Sequence, residues 1–187
     1  METACAIREA FAALLEKKPY DSISISEICS EAHVSRKTFY NYFESKQSII
    51  EAQLRADFTE PSRQFREILP AEEIKSSTTL LLDKLYATLG ENRAYYENLL
   101  RHYGKMKFME TAITVLDPFG REIFTGYNLP EDEIDFISYF FAVTAAASVI
   151  WWIDGHADVS PKRMAKLVNT WAYAEWRKLD EEGTALI

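Results

Sequence analysis

The sequence is poor in the residues on which disulfide frameworks and metal centres depend. Its 187 residues include only two cysteines, three histidines, six glycines and six prolines. Cys5 and Cys29 have no CxxC partner and no metal-ligand spacing, so they predict two buried free thiols in a reducing compartment. The first residues lack a basic and apolar leader, and we therefore expect a cytoplasmic protein without a secretory signal.

Catalytic and cofactor motifs are also missing. His33, His102 and His156 do not fall at a metal-ligand spacing, so no metal site is expected. The chain has no GxSxG, GxGxxG or P-loop sequence, which removes the usual signals for acyl transfer and for dinucleotide or nucleotide binding. We expect neither a cofactor nor a catalytic group, and hence no enzyme.

The charge is acidic but unevenly distributed. The net charge is −8, and 48% of the residues are apolar, which predicts a folded chain with a substantial core. The first 55 residues carry seven basic and eight acidic side chains, so almost all of the acidic excess lies in the remainder. An acidic body disfavours indiscriminate binding to nucleic acid, which depends on neutralising phosphates.

Helical periodicity runs through the whole chain, and no alternating strand pattern or internal repeat interrupts it. We predict an all-α fold of about nine helices. The first helix, from about Thr3 to Lys17, ends before Pro19 and has one apolar face, formed by Ile7, Ala10, Phe11, Leu14 and Leu15.

The stretch from Ser24 to Lys46 predicts two short helices joined by a tight turn. Ser24 and Glu27 form a capping box at the start of the first helix. The turn falls at 32–34, Ser35 caps the second helix, and Ser45 caps a third. Such a helix-turn-helix places the start of its second helix in the major groove of DNA.

The donors on this stretch predict its DNA contacts. Arg36 and Lys37 lie at the start of the second helix, where they can donate to guanine O6 and N7. Lys46 and the hydroxyl side chains suit phosphate oxygens. The alternative is a small helical subdomain with a solvated charged face. The predicted DNA-binding residues are Ser24, Ser35, Arg36, Lys37, Thr38, Tyr40, Asn41, Tyr42 and Lys46.

The same stretch resembles the DNA-binding domain of the TetR/AcrR family of transcriptional regulators. The matching residues are Ser24-x-x-Glu-Ile, Ala32-x-Val-Ser and Thr38-Phe-Tyr-x-Tyr-Phe-x-Ser-Lys46. His33 stands where the family usually has glycine. A positive φ is therefore expected at His33, at a cost on the order of 1 kcal/mol.

The remainder predicts a helical body. We place the domains at 1–46 and 47–187, and expect Pro61 to kink or end the fourth helix. A later helix, over 105–116, should break at Asp117-Pro118. More loosely, 139–161 resembles regulatory domains of the same family from Gram-positive bacteria, which implies dimerisation through the last two helices and an inducer pocket.

Residues 136–153 form an uncharged run long enough to span a membrane, but acidic flanks and a small-residue centre favour a fully buried helix. Ser160 and Pro161 start the last helix. Pairing these two helices between subunits would make a four-helix bundle, the alternative being the core of a monomer. The predicted homodimer residues are Ala142, Ala145, Ala146, Val149, Trp152, Met164, Leu167, Val168 and Trp171.

Aromatic residues with polar tips favour a small-molecule pocket in the body, with a plain aromatic core as the equal alternative. The predicted ligand-binding residues are Tyr86, Tyr96, His102, Tyr103, Phe108, Phe140 and Trp151. Together these features predict a regulator, most simply a repressor, released from a palindromic double-stranded DNA operator by a small-molecule effector. The rival interpretation is a helical carrier or enzyme without DNA binding. The sequence names neither operator nor effector.

Overall fold

The computed structural model describes residues 2–68, 78–127 and 129–171, and within these it contains helices and no strands. Since α4 continues into α5 through a π-helical segment, Arg55–Thr59, the described residues hold nine continuous helical rods. The all-α prediction is confirmed. The α-helices are α1 (Glu2–Lys17), α2 (Ile25–Glu31), α3 (Arg36–Tyr42), α4 (Lys46–Leu54), α5 (Glu60–Ile68), α6 (Thr78–Glu91), α7 (Arg93–His102), α8 (Lys105–Phe124), α9 (Glu131–Gly155) and α10 (Pro161–Trp171).

The head, which we define as α1 to α4, packs around apolar side chains from each of its helices. The predicted face of α1 points inward and packs against α2, α4 and α7. Phe39 of α3 is fully buried and anchors that helix. The same hydrophobic cluster continues into α6 to α10, which form the body, so head and body share one core.

Two prolines do not interrupt their helices as predicted. Pro61 lies in the first turn of α5, directly after the π-helical segment, where a missing N–H disturbs least. Pro118 lies inside α8, which runs unbroken to Phe124. Burial of Val115, Leu116 and Phe119 holds α8 together across the missing hydrogen bond, so the predicted break was wrong.

The body is built on the long pair α8 and α9, with α10 packed on α6. Gly120 lets α8 and α9 approach closely, because a Cβ there would meet the Ser138 backbone at 3.2 Å. Ser160 caps α10 and Pro161 begins it, as predicted.

Within the single chain, the apolar run 136–153 is buried on one side only, so its full burial stays a prediction. One face of α9 packs inside the chain, but Phe136, Tyr139, Phe140 and Trp151 are exposed on it. Among the described residues, α9 is the one helix whose length and composition would suit a membrane span. In its most apolar window 39% of the residues are buried inside the chain.

The predicted dimer residues divide by burial. Ala142, Ala146, Val149, Trp152, Met164 and Val168 are buried inside the chain. Their side chains pack against this chain's own helices, and the dimer interface itself stays a prediction. Ala145 and Leu167 are half-buried, and Trp171 is 81% exposed.

The two cysteines also differ. Cys29 is buried in the head, as predicted, whereas Cys5 is exposed on α1 and accepts a hydrogen bond from Arg8. Cys5 lies on the solvent side of an amphipathic helix, and the prediction of two buried thiols therefore holds for Cys29 only.

Candidate nucleic-acid interface

The start of α2 is fixed by the predicted capping box. The Ser24 hydroxyl accepts a hydrogen bond from the Glu27 N–H at 3.2 Å, and Glu27 Oε2 accepts one from the Ser24 N–H at 2.9 Å. Lys18 donates to the other Glu27 oxygen. The Lys18 ammonium, followed by the Ser24 N–H, lowers the pKa of Glu27 to about 2. This end of α2 is therefore set by local hydrogen bonds.

The turn between α2 and α3 is tight and has the predicted backbone geometry. His33 adopts φ of 54°, the one positive φ at a non-glycine residue in the described part of the chain. The Val34 N–H donates to the Cys29 carbonyl at 2.9 Å, which closes the turn. The expectation of a positive φ at His33 is confirmed.

Helix α3 presents a polar face while Phe39 anchors it. The Ser35 hydroxyl accepts from the Thr38 N–H at 3.0 Å and shares a second hydrogen bond with the Thr38 hydroxyl. Thr38 is half-buried. The predicted contact residues that point outward from this face are Arg36, Lys37, Tyr40, Asn41 and Tyr42. One surface thus collects two cations, an amide and two phenol groups.

Lys46 occupies a different environment from the one predicted. Its ammonium donates to the backbone carbonyls of Tyr20 at 2.9 Å and Ile23 at 2.6 Å, and lies 4.4 Å from the Tyr20 ring centre. Burial lowers the pKa of Lys46 and raises that of Tyr20 to about 12. Two of the three ammonium N–H groups therefore tie α4 to the turn after α1.

The predicted ligand residues differ in burial. Tyr86, Tyr96, Tyr103 and Phe108 are core residues, whereas Phe140 and Trp151 are exposed and His102 is half-buried. Each of the three tyrosines uses its hydroxyl inside the chain: Tyr86 with Ser148 at 2.7 Å, Tyr96 with Asp57 at 2.6 Å and Tyr103 with Thr111 at 2.9 Å. These residues fit the aromatic-core alternative.

An open groove lies instead between the start of α8 and the end of α9. Its volume is about 360 Å³, and Trp151 is the one predicted ligand residue that lines it. The His156 ring stacks on Trp151 with centroids 3.6 Å apart, and Lys105 pairs with Asp154 across the groove. No group of His, Cys, Asp and Glu that could hold a metal ion occurs in the described parts of the chain.

Two polar residues outside the predicted set join the head to the body. Asp57 is a buried carboxyl whose pKa is raised by burial, although Gln53, Tyr96 and Asn92 donate to it. Tyr20 packs edge-on against Tyr103 with centroids 4.6 Å apart. Asp57 could have been predicted from the sequence, because an acidic residue stands there at an inward position of a helix. No local feature of the sequence marks Tyr20 as a contact residue.

Two protein-family signatures match the chain. "Bacterial regulatory proteins, tetR family" matches residues 7–52, which contain α2, the turn and α3. "Transcriptional regulator C-terminal region" matches residues 77–173, more than half of the chain.

Curated relatives agree with these signatures. The uncharacterized HTH-type transcriptional regulator YxbF of Bacillus subtilis is 26% identical over 172 residues, which are 87% of this chain and 42% of YxbF. The HTH-type dhaKLM operon transcriptional activator DhaS of Lactococcus lactis is 37% identical over 54 residues, 29% of each chain. The chain thus spans less than half the length of both relatives.

Solved structures share the fold. The dihydroxyacetone kinase operon activator DhaS superposes with a TM-score of 0.55 at 23% identity, over 92% of this chain and 95% of that one. A TetR transcriptional regulator from Streptococcus agalactiae gives 0.52 at 23% identity, over 90% and 92%. The similarity extends through both the head and the body.

Proposed function

The chain belongs to the TetR family of bacterial transcriptional regulators, and from this premise we propose that it binds a palindromic DNA operator as a homodimer. The observation that carries the proposal is the exposed face of α3, with Arg36 and Lys37 beside Tyr40 and Tyr42. Arg36 and Lys37 are proposed to read base edges, and the hydroxyls of Ser24, Ser35 and Thr38 to contact phosphates. A carrier or enzyme is not favoured by family membership.

The domains proposed are 1–46 for DNA binding and 47–187 for regulation and dimerisation. Lys46 begins α4, so this boundary assigns the rest of α4 to the second domain, although α4 packs in the core of the head. Because they share one core, the two parts pack directly against each other and are not joined by a flexible linker.

Dimerisation is proposed through the outer face of α9. Phe136, Phe140, Val143, Ala147 and Trp151 recur at helical spacing along this side, and the Phe136 and Phe140 rings stack at 6.1 Å. The helix has 25 residues, about 37 Å of length. A face of that length is sufficient for the roughly 800 Å² per subunit that a stable interface buries.

A small-molecule effector is proposed to act on the body, with the groove beside Trp151 as its candidate site. Ligand binding would favour a body conformation whose heads no longer match the half-sites, which is a population shift. We favour repression. DhaS is by its name an activator, so activation is the second candidate. A reporter gene placed behind the operator distinguishes the two: deleting the regulator's gene should raise expression if it represses and lower expression if it activates.

The test of DNA recognition is selection of fragments from the source genome with the purified full chain, repeated at two salt concentrations. Enrichment of one palindrome, with affinity falling as salt rises, supports the proposal. No enrichment at low salt, with protein that is folded and dimeric, would contradict it.

Arg36 and Lys46 give a matched pair for the site. Arg36→Ala should reduce discrimination between the palindrome and a version changed at one base pair, by about 1–3 kcal/mol. Lys46→Ala should weaken binding to all sequences alike, because it loosens α4 from the Tyr20 turn and removes a phosphate donor. An equal loss on all DNA for Arg36→Ala would refute its base contact.

A further inference from the structure

The carboxyl group of Asp57 is the meeting point of three segments. Asp57 lies in the π-helical segment between α4 and α5 and is 5% exposed. Its Oδ2 accepts from Tyr96 OH at 2.6 Å and Gln53 Nε2 at 3.0 Å, and its Oδ1 accepts from Asn92 Nδ2 at 3.2 Å. The donors come from α7, from α4 and from the turn between α6 and α7.

These hydrogen bonds hold the rod formed by α4 and α5 in a narrow range of positions. All three neighbours donate, so their hydrogen bonds favour the carboxylate, although burial raises the pKa of Asp57; bonds to a charged acceptor are short and directional. Tilting the rod away from α7 would leave a buried carboxylate short of donors, which is costly. A π turn also widens the helix locally, and such turns are frequent at functional positions.

The position of the rod is passed on to the head. Lys46, at the start of α4, holds the carbonyls of Tyr20 and Ile23. Arg8 of α1 donates to Gln53, itself a donor to Asp57, at 3.4 Å. Because Lys46 lies eleven residues before Asp57, about 16 Å along the helix axis, a tilt of 10° about Asp57 moves the far end of α4 by about 3 Å.

Helix α7 is in turn fixed to the body. Arg93 donates to the carbonyls of Trp152 at 3.2 Å and Ile153 at 3.3 Å, near the end of α9. At its other end, Tyr103 packs against Tyr20 of the head. Asp57 therefore lies on a polar route from α9, the proposed dimer helix, to the head.

We propose that Asp57 is a positioning residue for DNA recognition, which locks the α4–α5 rod to α7 and thereby sets the spacing between the two heads of the dimer. This inference rests on the proposed function. Half-sites about 34–36 Å apart must be met by both heads together, so a fixed head angle gives a strict spacing preference. A loosened lock should relax that preference.

Two adjacent tyrosines on α7 provide a matched test. Tyr96 OH bonds to Asp57, whereas Tyr95 OH is buried without a hydrogen-bond partner among the described residues. Tyr96→Phe and Tyr95→Phe each remove one hydroxyl and leave the ring, so both variants should fold. Affinity is measured for the selected palindrome and for versions with one or two base pairs inserted or deleted at its centre.

Tyr96→Phe should lower the affinity ratio between native and altered spacing by about tenfold, the equivalent of one hydrogen bond to a charged group. Asp57→Asn should shift the ratio in the same direction, and Tyr95→Phe should keep the wild-type ratio. An unchanged ratio in Tyr96→Phe, including a uniform loss at all spacings, would overturn the proposal.

A second readout needs no DNA. Hydrogen exchange of the amides in α4 and 55–59 should be about tenfold faster in Tyr96→Phe than in Tyr95→Phe, because the lock is open more often. Should wild-type protein bind no palindrome, the proposed function fails, and with it the role in DNA recognition; this readout then decides only whether Asp57 locks the α4–α5 rod to α7. Equal exchange in the two variants would then overturn it.

Discussion

The hydrogen bonds within the head and those within the body differ in how far apart their partners lie in the sequence. In the head, Ser24–Glu27, Ser35–Thr38 and Ser45–Ser48 each join residues three apart. In the body, Tyr86 bonds to Ser148 across 62 positions and Tyr96 to Asp57 across 39. The helix starts of the head are therefore set by neighbouring residues, although Lys46 also joins α4 to Tyr20 and Ile23 across 26 and 23 positions, whereas the body depends on contacts between distant residues.

The exposed faces differ in the same way. The head presents cations and phenol groups on α3, which suits a charged and hydrogen-bonding partner. The body presents apolar rings on α9, which suits a second apolar surface. Each region is thus specialised for a different contact, and changes confined to one should leave the other's contact intact.

Phe39→Ala should have the largest effect on the head. Deleting this fully buried ring should cost about 3–5 kcal/mol and abolish operator binding, because α3 loses its anchor. Denaturant unfolding and operator binding measure the two effects, and sedimentation should still show a dimer. A monomeric variant would mean that head and body do not separate as described.

Phe140→Glu should break the body's contact instead. A carboxylate placed in an apolar interface should weaken association by about 100-fold, since it lacks a partner there. Met106→Glu is the control, because Met106 is 72% exposed on another helix. Sedimentation equilibrium measures both; equal dimer affinities in the two variants would remove α9 from the interface.

The two positive-φ residues give opposite predictions. Gly104→Ala should cost about 1–2 kcal/mol through backbone strain alone, because its φ is 98° and no atom lies near the added Cβ. His33→Gly in the head turn should stabilise the protein by roughly 0.5 kcal/mol, since glycine relieves the strain at φ 54° but loses more chain entropy. Thermal unfolding tests both signs.

The smallest predicted effect is a pH dependence of opposite sign in the two regions. The pKa of Glu27 in the head is lowered to about 2. Its contribution to the free energy of unfolding is therefore present above about pH 4.5 and is lost as the pH falls towards 2. Burial raises the pKa of Asp57. Its contribution to the free energy of unfolding is therefore present below its ordinary pKa of 3.8 and is lost as the pH rises through the raised pKa.

Glu27→Gln and Asp57→Asn separate these contributions. The free energy of unfolding is measured against pH for each protein. Wild type should lose stability relative to Glu27→Gln as the pH falls, and relative to Asp57→Asn as the pH rises above 3.8. The Glu27 effect should be modest, because its ion pair is at the surface. A difference curve that is flat over these ranges would contradict the corresponding assignment.

The helix-turn-helix could be predicted in full from the amino-acid sequence, because the signals for it are local. Capping residues, the apolar spacing around Phe39 and the residue types in the turn act within a few positions, and they predicted the three caps and the positive φ at His33. The same locality made Pro118 misleading, since burial of Val115, Leu116 and Phe119 outweighed its missing N–H group, whereas Pro61 follows a π-helical segment.

Packing between the helices determines which face of α9 is covered, which groups the Lys46 ammonium contacts, and which tyrosines are core residues. The run 136–153 is apolar on every side, so no periodicity marks its inner face. Lys46 meets Tyr20 and Ile23, and Asp57 meets Asn92 and Tyr96, through contacts between residues far apart in the chain. Such contacts exist only once the helices pack, because no pattern within a single helix encodes them.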